Sequence, residues 1–543
     1  MTELQMGKIM KKIYILAGIV LAAGFMLLGI GLRESIIIQP AAQTNIVEKE
    51  PKIRQLLAPD SVNELYEPSI EPLVADTSDK YLWGNNQNYA DLIITLENLS
   101  LHGLNPDHYH LEKLKTLQED KSERDIWATD AWHSAAAHMI YGKIDPVTVE
   151  PDWTAVRRDV NITERMQYAL ASDNIADSLE DLAPKQPEYV ALREELSRLR
   201  TLAEAPIALV PAGEAIKKGM KSGRVRALQE RLVQLSLLLD ENVNGEMDEQ
   251  TVNALKVFQF QSELDNDGVA GTATIAALNL GVQDKINQVR VNMERARWLP
   301  DFLGKKHVRV NIAAFKTTAW NNGKVERTHL AIVGKSFRKT PVFSDEIEYM
   351  IFNPWWETPP SLARADKLPA FRRDPGAVKR LGFQVLDRSG NLVDSTTIDW
   401  NSVSASNFPY RIRQAPGELN ALGKVKIMFP NPHNVYLHDT PTRDLFAKQQ
   451  RAFSSGCIRT QDPLDLATWL LSDTKEWTAE NINKAVASGK ETRANLTAKI
   501  PVHILYNTVV WDETGGIKFL DDIYDRDSAI LSALDELPSS SKL

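Results

Sequence analysis

The chain has 543 residues, room for about three domains. Its 63 Lys and Arg against 72 Asp and Glu give a formal net charge of −9, which argues against a protein that coats nucleic-acid phosphates. At 43% hydrophobic and 25% charged residues the composition is globular, excluding wholesale disorder and a polytopic membrane protein. The single cysteine, Cys457, excludes an intrachain disulfide and any zinc site built on paired cysteines.

Ile13 to Leu32 is a 20-residue run without a charge. As a helix it spans ~30 Å, enough for a bilayer core. Lys8, Lys11 and Lys12 precede it and Arg33 follows, so residues 1–12 read as a cytosolic tail. The rival is a cleaved signal peptide, whose apolar region runs about 7–15 residues before a small-x-small cut site. No such site follows Leu32, and the reading is an uncleaved transmembrane anchor over 13–32 with the rest exported. An unpaired thiol outside a reducing cytosol is exposed to oxidation, which favours a reactive Cys457 over a core one.

Residues 33–80 are rich in Pro, Glu, Asp, Ser and Thr and read as a linker with one strand at Ser35–Ile38. Leu92, Leu96 and Leu99, and again Leu192, Leu196 and Leu199, fall at helical spacings, which predicts an all-α domain over 81–215. Residues 216–285 predict three short helices. Val225, Leu228, Leu232 and Leu235 stripe the first, Val252, Leu255, Phe258 and Gln259 the second, and Ile275 and Leu278 the third. The run from Asp267 to Thr272 supplies a turn and a threonine able to cap the third helix.

A linking helix follows, with Ile286, Val289, Met293 and Ala296 on one face, and opens a domain over 286–520. There the period changes to two. Val308, Val310 and Ile312 alternate, Asn321-Asn322-Gly323 turns a hairpin, and Leu330 and Ile332 resume the pattern. Further strands fit 347–352, 424–429, 435–438 and 502–510, predicting an antiparallel β-rich domain. Residues 354–410 interrupt this rhythm and read as a lid insertion. Trp355 and Trp356 open the insertion, and alternation forbids burying both on one side. At least one lines a groove or packs beneath the lid. Residues 521–543 read as a C-terminal tail.

His438 closes the apolar strand Val435-Tyr436-Leu437-His438, and Cys457 follows 19 residues later in Phe453-Ser454-Ser455-Gly456-Cys457-Ile458-Arg459. Small residues before the cysteine let a substrate approach and leave amide N–H groups free to point at an oxygen. A thiolate is the nucleophile, and an imidazole beside it lowers the thiol pKa by stabilising an ion pair. The pair is a self-consistent acyl-transfer site. Metal binding through His433, His438 and Cys457 lacks any recognised ligand spacing. The terminal Ser541-Lys542-Leu543 matches a peroxisomal address, which the anchor contradicts.

With Thr340-Pro341, Arg413-Gln414-x-Pro416-Gly417-x-x-Asn420-Ala421-Leu422-Gly423 and Phe429-Pro430-Asn431, residues ~305–510 resemble the catalytic domain of the L,D-transpeptidases. Residues 216–285 resemble a peptidoglycan-binding domain, with Leu228-Gln229 and Asp267-Gly268 in its layout; a spacer bundle that binds nothing is the alternative. The whole resembles the large, lid-bearing members of Gram-negative bacteria: an α+β multidomain protein with a single-pass inner-membrane anchor and a periplasmic catalytic part. Ser455 and Arg459 stand where many members of the family have His and Asn, changes that the large-lid subgroup shares.

The resemblance implies that Cys457 attacks a tetrapeptide stem at diaminopimelate, D-alanine leaves, His438 relays the proton, and a neighbouring diaminopimelate amine resolves the thioester into a 3→3 cross-link. Amides of Gly456 and Cys457 are candidates for holding the oxyanion. Tyr436, Ser455, Arg459, Trp355 and Trp356 are candidates for substrate binding, Arg459 through a stem carboxylate or as a structural salt bridge. Asp439 neighbours His438 on the wrong face, so a backbone carbonyl is expected to orient the imidazole. Acylation of Cys457 by carbapenems is implied too. No metal or cofactor is. The partners implied are donor and acceptor stem peptides and wall-synthesis proteins. Trimming of tetrapeptides and attachment of a lipoprotein to the wall stay open as alternatives.

Overall fold

The leucine spacings of the first domain become helices that close on one core. The computed structural model describes residues 81–117, 121–204, 208–262, 264–279, 281–511 and 516–537, so the expected anchor, the linker and the strand at 35–38 lie outside the described residues. Among the described residues no helix is long and apolar enough to cross a membrane. Helices Asn86–Asn98, Lys121–Tyr141 and Pro187–Ala203 bury Leu92, Leu96, Trp132, Leu196 and Leu199 together.

Two segments assigned elsewhere from sequence complete this core. The linking helix Val282–Arg297 contributes Ile286, Val289 and Met293, and a helix over Asp527–Asp535 contributes Ile530 and Leu534. The linking helix therefore packs with the all-α domain, the scaffold of the molecule, and the expected tail is folded: Ile530 and Leu534, four apart, form a stripe that needs covering. Arg297 and Glu294 form a buried pair at 2.8 Å, and Glu294 also accepts the Ile144 amide at 2.8 Å.

Helices Gly223–Gln234, Glu249–Gln261 and Thr272–Asn279 surround a separate core of Val225, Leu228, Leu232, Leu255, Phe258 and Leu278. Thr272 is the first helical residue and exposed, not a cap. Two buried glutamines hold the loops instead. Gln229 accepts the Gly245 amide and donates to Asn244, Glu246 and Thr251; Gln259 treats Gly268, Asp267, Val269 and Thr274 alike.

The β-rich domain runs β1 (Lys306–Asn311), β2 (Lys316–Asn321), β3 (Lys324–Gly334), β4 (Phe343–Phe352), β5 (Trp356–Glu357), β6 (Phe383–Leu386), β7 (Leu392–Val393), β8 (Arg411–Gln414), β9 (Val425–Met428), β10 (Leu437–His438), β11 (Ala452–Ser454), β12 (Ile458–Thr460), β13 (Thr492–Leu505), β14 (Val509–Trp511) and β15 (Ile517–Phe519). Nine of these form one sheet in the order β11-β3-β12-β10-β9-β4-β13-β1-β2. β3 pairs β2 along its first part and β12 along its last, so the sheet closes on itself.

The sheet is mixed where an antiparallel one was expected. β1 runs parallel to β13, β10 to β12 and β11 to β3. The chain from Asp439 to Cys457 is long enough to return and lay β12 parallel to β10, as such crossovers need a dozen or more residues. The expected strand over 502–510 breaks after Leu505, where the Thr508 amide donates to Asn292 of the linking helix.

The insertion builds its own four-stranded sheet, β5-β8-β6-β7, over a core of Trp356, Phe371, Val378, Phe383, Trp400 and Ile412. It reaches Gln414, past the expected boundary at 410, because β8 pairs both β5 and β6. Asn420 staples its base, donating to the carbonyls of Pro354 and Ala415 at 3.0 and 2.9 Å.

Candidate active site

Alternation along three neighbouring strands sorts the site. Ile427, Leu437 and Ile458 are register partners, all fully buried against the domain core. Their neighbours Lys426, His438 and Arg459 are also partners and point to the opposite face, beneath the lid. Tyr436 and Cys457, each two residues before a member of that row, share the face, and both pack against the lid core.

His438 is buried, and its Nδ1–H donates to the Asp439 carbonyl at 2.5 Å. A carbonyl only accepts, so Nδ1 carries the proton and Nε2 presents a lone pair. Burial, then the charges of Arg459 and Lys426, push the imidazole pKa down to about 3. The Asp439 carboxylate faces the other way. It accepts the Lys424 and Thr440 amides at 2.8 Å each and pairs Arg443 at 3.1 Å, fixing the turn whose carbonyl holds His438. Gly423, with φ of 58°, is required beside it: a Cβ there would lie 2.4 Å from the carboxylate.

The Cys457 thiol is packed round by the chain, although part of the residue reaches solvent. Desolvation raises its pKa, against the pull of a Tyr436 hydrogen bond and of Lys426 and Arg459. The ion pair expected from sequence is therefore not the resting state. The thiol and the imidazole both rest neutral because both are desolvated, and desolvation penalises charge on either. The sulfur contacts the Asn434 carbonyl at 3.6 Å, and among the described residues no hydrogen bond joins it to His438. The Tyr436 ring touches both groups. It meets the His438 ring edge-on at 5.6 Å, and its hydroxyl bonds the sulfur and the Trp356 indole. Lys426 sits over the Tyr436 ring at 3.9 Å.

The loop before the sulfur is braced from below. Gly456 takes a φ of 119°, open to glycine and strained for other residues. Its carbonyl accepts the Thr340 hydroxyl at 2.9 Å. Its amide donates to Ser454 Oγ at 3.1 Å, so the Gly456 N–H expected to hold an oxyanion already has a partner. Thr340 is held in turn by Tyr524, whose hydroxyl accepts the Thr340 amide at 3.3 Å and donates to the Gly334 carbonyl at 2.5 Å.

Other expected residues divide. Ser455 is exposed and accepts from Arg338 at 3.1 Å; Arg338 also pairs lid Asp366 at 2.8 Å, so Ser455 belongs to the bridge between lid and sheet. Trp356 is buried in the lid core and holds Tyr436; it packs beneath the insertion rather than lining a groove. Trp355 lies under the Arg413 guanidinium at 4.4 Å, its amide on Glu491 at 2.8 Å, and it does not line the cavity beside the site. That cavity, about 310 Å³, lies between the lid and the ends of β10 and β12, with Arg459 and Lys367 in its wall. A larger one of about 570 Å³, between scaffold helix and sheet, contains none of these residues. Among the described residues no group of three His, Cys, Asp or Glu could hold a metal.

Sequence reasoning missed Lys426, Asn434, Lys367 and the role of Thr340. Alternation within 424–429 places Lys426 on the His438 face, a signal available once β9 and β10 are known to pair. The others depend on long-range packing.

Three family matches cover the described domains: a scaffold domain over residues 71–196, a "Putative peptidoglycan binding domain" over 221–278, and an L,D-transpeptidase catalytic domain over 305–488. Residues 305–488 are thus similar in sequence to L,D-transpeptidase catalytic domains. A protein of Haemophilus influenzae named "Putative L,D-transpeptidase" is 38% identical over 243 residues, covering 45% of this chain. The chain spans about half the length of that curated relative, 48%. Among solved structures, the L,D-transpeptidase of Xylanimonas cellulosilytica is 16% identical, covering 54% of this chain and 99% of its own, at a TM-score of 0.17. The L,D-transpeptidase LdtMt1 in complex with imipenem is 13% identical, covering 37% and 59%, at 0.17. Likeness at that level says nothing of site geometry.

Proposed function

We propose that the chain is an L,D-transpeptidase that joins peptidoglycan stems by 3→3 cross-links through a thioester on Cys457. The observation that carries the reading is the lid-facing arrangement of Cys457, Tyr436 and His438 at the ends of β10 and β12, inside the matched catalytic domain.

The Cys457 sulfur attacks the carbonyl carbon of the diaminopimelate–D-alanine bond as its proton passes to His438 Nε2. The C–N bond breaks, and Nε2 returns the proton to the departing D-alanine amine. A diaminopimelate amine of a second stem then attacks the thioester carbon, gives a proton to Nε2, and the sulfur leaves and recovers it. With the Gly456 amide engaged, the Cys457 amide is the oxyanion donor, where one lost donor costs about 3–4 kcal/mol of barrier. Tyr436 steadies the sulfur as charge develops.

The peptidoglycan-binding domain holds the chain on the wall that supplies both stems, and residues 13–32 tether it to the inner membrane with the catalytic part in the periplasm. The same thiol is open to carbapenem acylation. Incubating the exported part with disaccharide-tetrapeptide tests the reading. A 3→3 dimer, absent with Cys457→Ala, supports it. Tripeptide alone makes the enzyme a carboxypeptidase, and transfer only to a lipoprotein makes it an attachment enzyme; either result overturns the cross-linking reading.

A further inference from the structure

Two cations in the cavity beside the site have no part in the proton relay. Lys367 comes from the lid and Arg459 from β12, and both line the cavity of about 310 Å³, together with Thr440 and Thr442. Among the described residues lining it, none carries a carboxylate. Neither cation makes an ion pair among the described residues. The adjacent lid carboxylate, Asp366, is engaged by Arg338 through both oxygens at 2.8 and 3.0 Å, and Asp439 is held by Lys424, Thr440 and Arg443. Arg459 donates to the Thr442 hydroxyl at 3.1 Å. Lys367 Nζ sits 5.1 Å from the Trp356 ring centre and 4.9 Å from that of Phe383. Through Trp356 and Tyr436 it is tied to the sulfur itself.

Two like charges facing one small space, each partly out of water and each without a counter-charge, are relieved by an anion. Burial lowers the pKa of both groups, in keeping with that cost. The geometry points to a two-cation carboxylate subsite, one cation from the lid and one from the sheet, that seats the carboxylate at the attacking end of the acceptor stem.

This rests on the cross-linking reading above. In diaminopimelate the attacking amine and a free carboxylate share one carbon. Arg459 is the register partner of His438. A carboxylate held at Arg459 leaves the amine beside the imidazole that must take its proton. Water carries no carboxylate, so the subsite favours transfer over hydrolysis by positioning. Because Lys367 belongs to the lid, the acceptor is seated only with the lid in place.

The test compares a diaminopimelate tripeptide acceptor with the same peptide amidated at its side-chain carboxylate, using one common donor. Transfer rates are measured with the active enzyme, and equilibrium binding of both acceptors by calorimetry with Cys457→Ala. The wild-type site is expected to prefer the free carboxylate by about tenfold or more in both assays, the scale of a charge-assisted contact. Lys367→Met brings the preference close to parity, and Lys367→Arg keeps it. Equal binding of the two acceptors overturns the proposal. So does a penalty that appears only when the donor is amidated, which places the seated carboxylate on the donor. Discrimination in binding without any dimer formed upholds the subsite and overturns the cross-linking reading instead.

Discussion

At His438 the fixed proton on Nδ1 and the bare Nε2 make the ring a base without prior ionisation of the thiol. The ring protonates only near pH 3, and the thiol ionises above its ordinary range. Acylation by a carbapenem, which brings no amine of an acceptor into play, is therefore expected to hold level as pH falls through 6.5, where an ordinary histidine titrates. An acid limb centred near 6.5 in the acylation rate would contradict this. The same depression affects stability. The unfolded chain binds the proton more readily, so the contribution from a neutral His438 is present above pH ~6.5 and is lost as pH falls toward about 3. Thr340 offers a second residue-scale check. Thr340→Val strands the Gly456 carbonyl and the Gly334 amide, at a cost of about 1–3 kcal/mol, and is expected to slow acylation while Thr340→Ser restores it. Equal acylation rates for the valine and serine variants would remove Thr340 from the positioning of Cys457.

At the scale of elements, lid and sheet are joined by the exposed Arg338–Asp366 pair, with Ser455 on the same guanidinium. Exposed pairs are worth under about 1 kcal/mol, so Asp366→Asn is expected to leave the melting temperature nearly unchanged. If the proposed reaction holds, it is expected to lower the ratio of cross-linking to hydrolysis, because the lid would then cover the proposed thioester less of the time. An unchanged ratio would count against the lid as a shield. Much of this scale was legible in the sequence through periodicity. Leu92, Leu96 and Leu99, the alternation of Val308 to Ile312, and Tyr436 with His438 on one face are local patterns, and local patterns survive folding. The parallel return of β12 beside β10 was not legible, since strand partners are chosen by packing across long separations. The partner of the Gly456 amide, Ser454 Oγ, was not legible for a similar reason: it depends on a loop shape that composition does not encode. Trp356 was visible as a residue that had to be buried or grooved, but its role under Tyr436 required the lid sheet.

Across the whole molecule, the C-terminal segment ties catalytic loop to scaffold. Tyr524 holds Thr340, Arg526 pairs buried Glu150 of the scaffold at 2.8 Å, and Asp527 pairs Arg295 of the linking helix at 2.6 Å. Ile530 and Leu534 then fill the scaffold core, where losing a buried aliphatic side chain costs about 2–5 kcal/mol. Ending the chain at Leu520 is expected to melt scaffold and catalytic domains together at a lower temperature. The peptidoglycan-binding unit, which has its own core, should keep its transition. Calorimetry showing the truncated chain unchanged would contradict that coupling.

The most direct measurement is the intact mass of the protein over time with tetrapeptide donor or a carbapenem, on wild type, Cys457→Ala and His438→Ala. An acyl adduct that maps to Cys457, is absent from Cys457→Ala and forms at least about 100-fold more slowly on His438→Ala is the predicted result. An adduct on another residue, or wild-type acylation without the imidazole, would contradict the account.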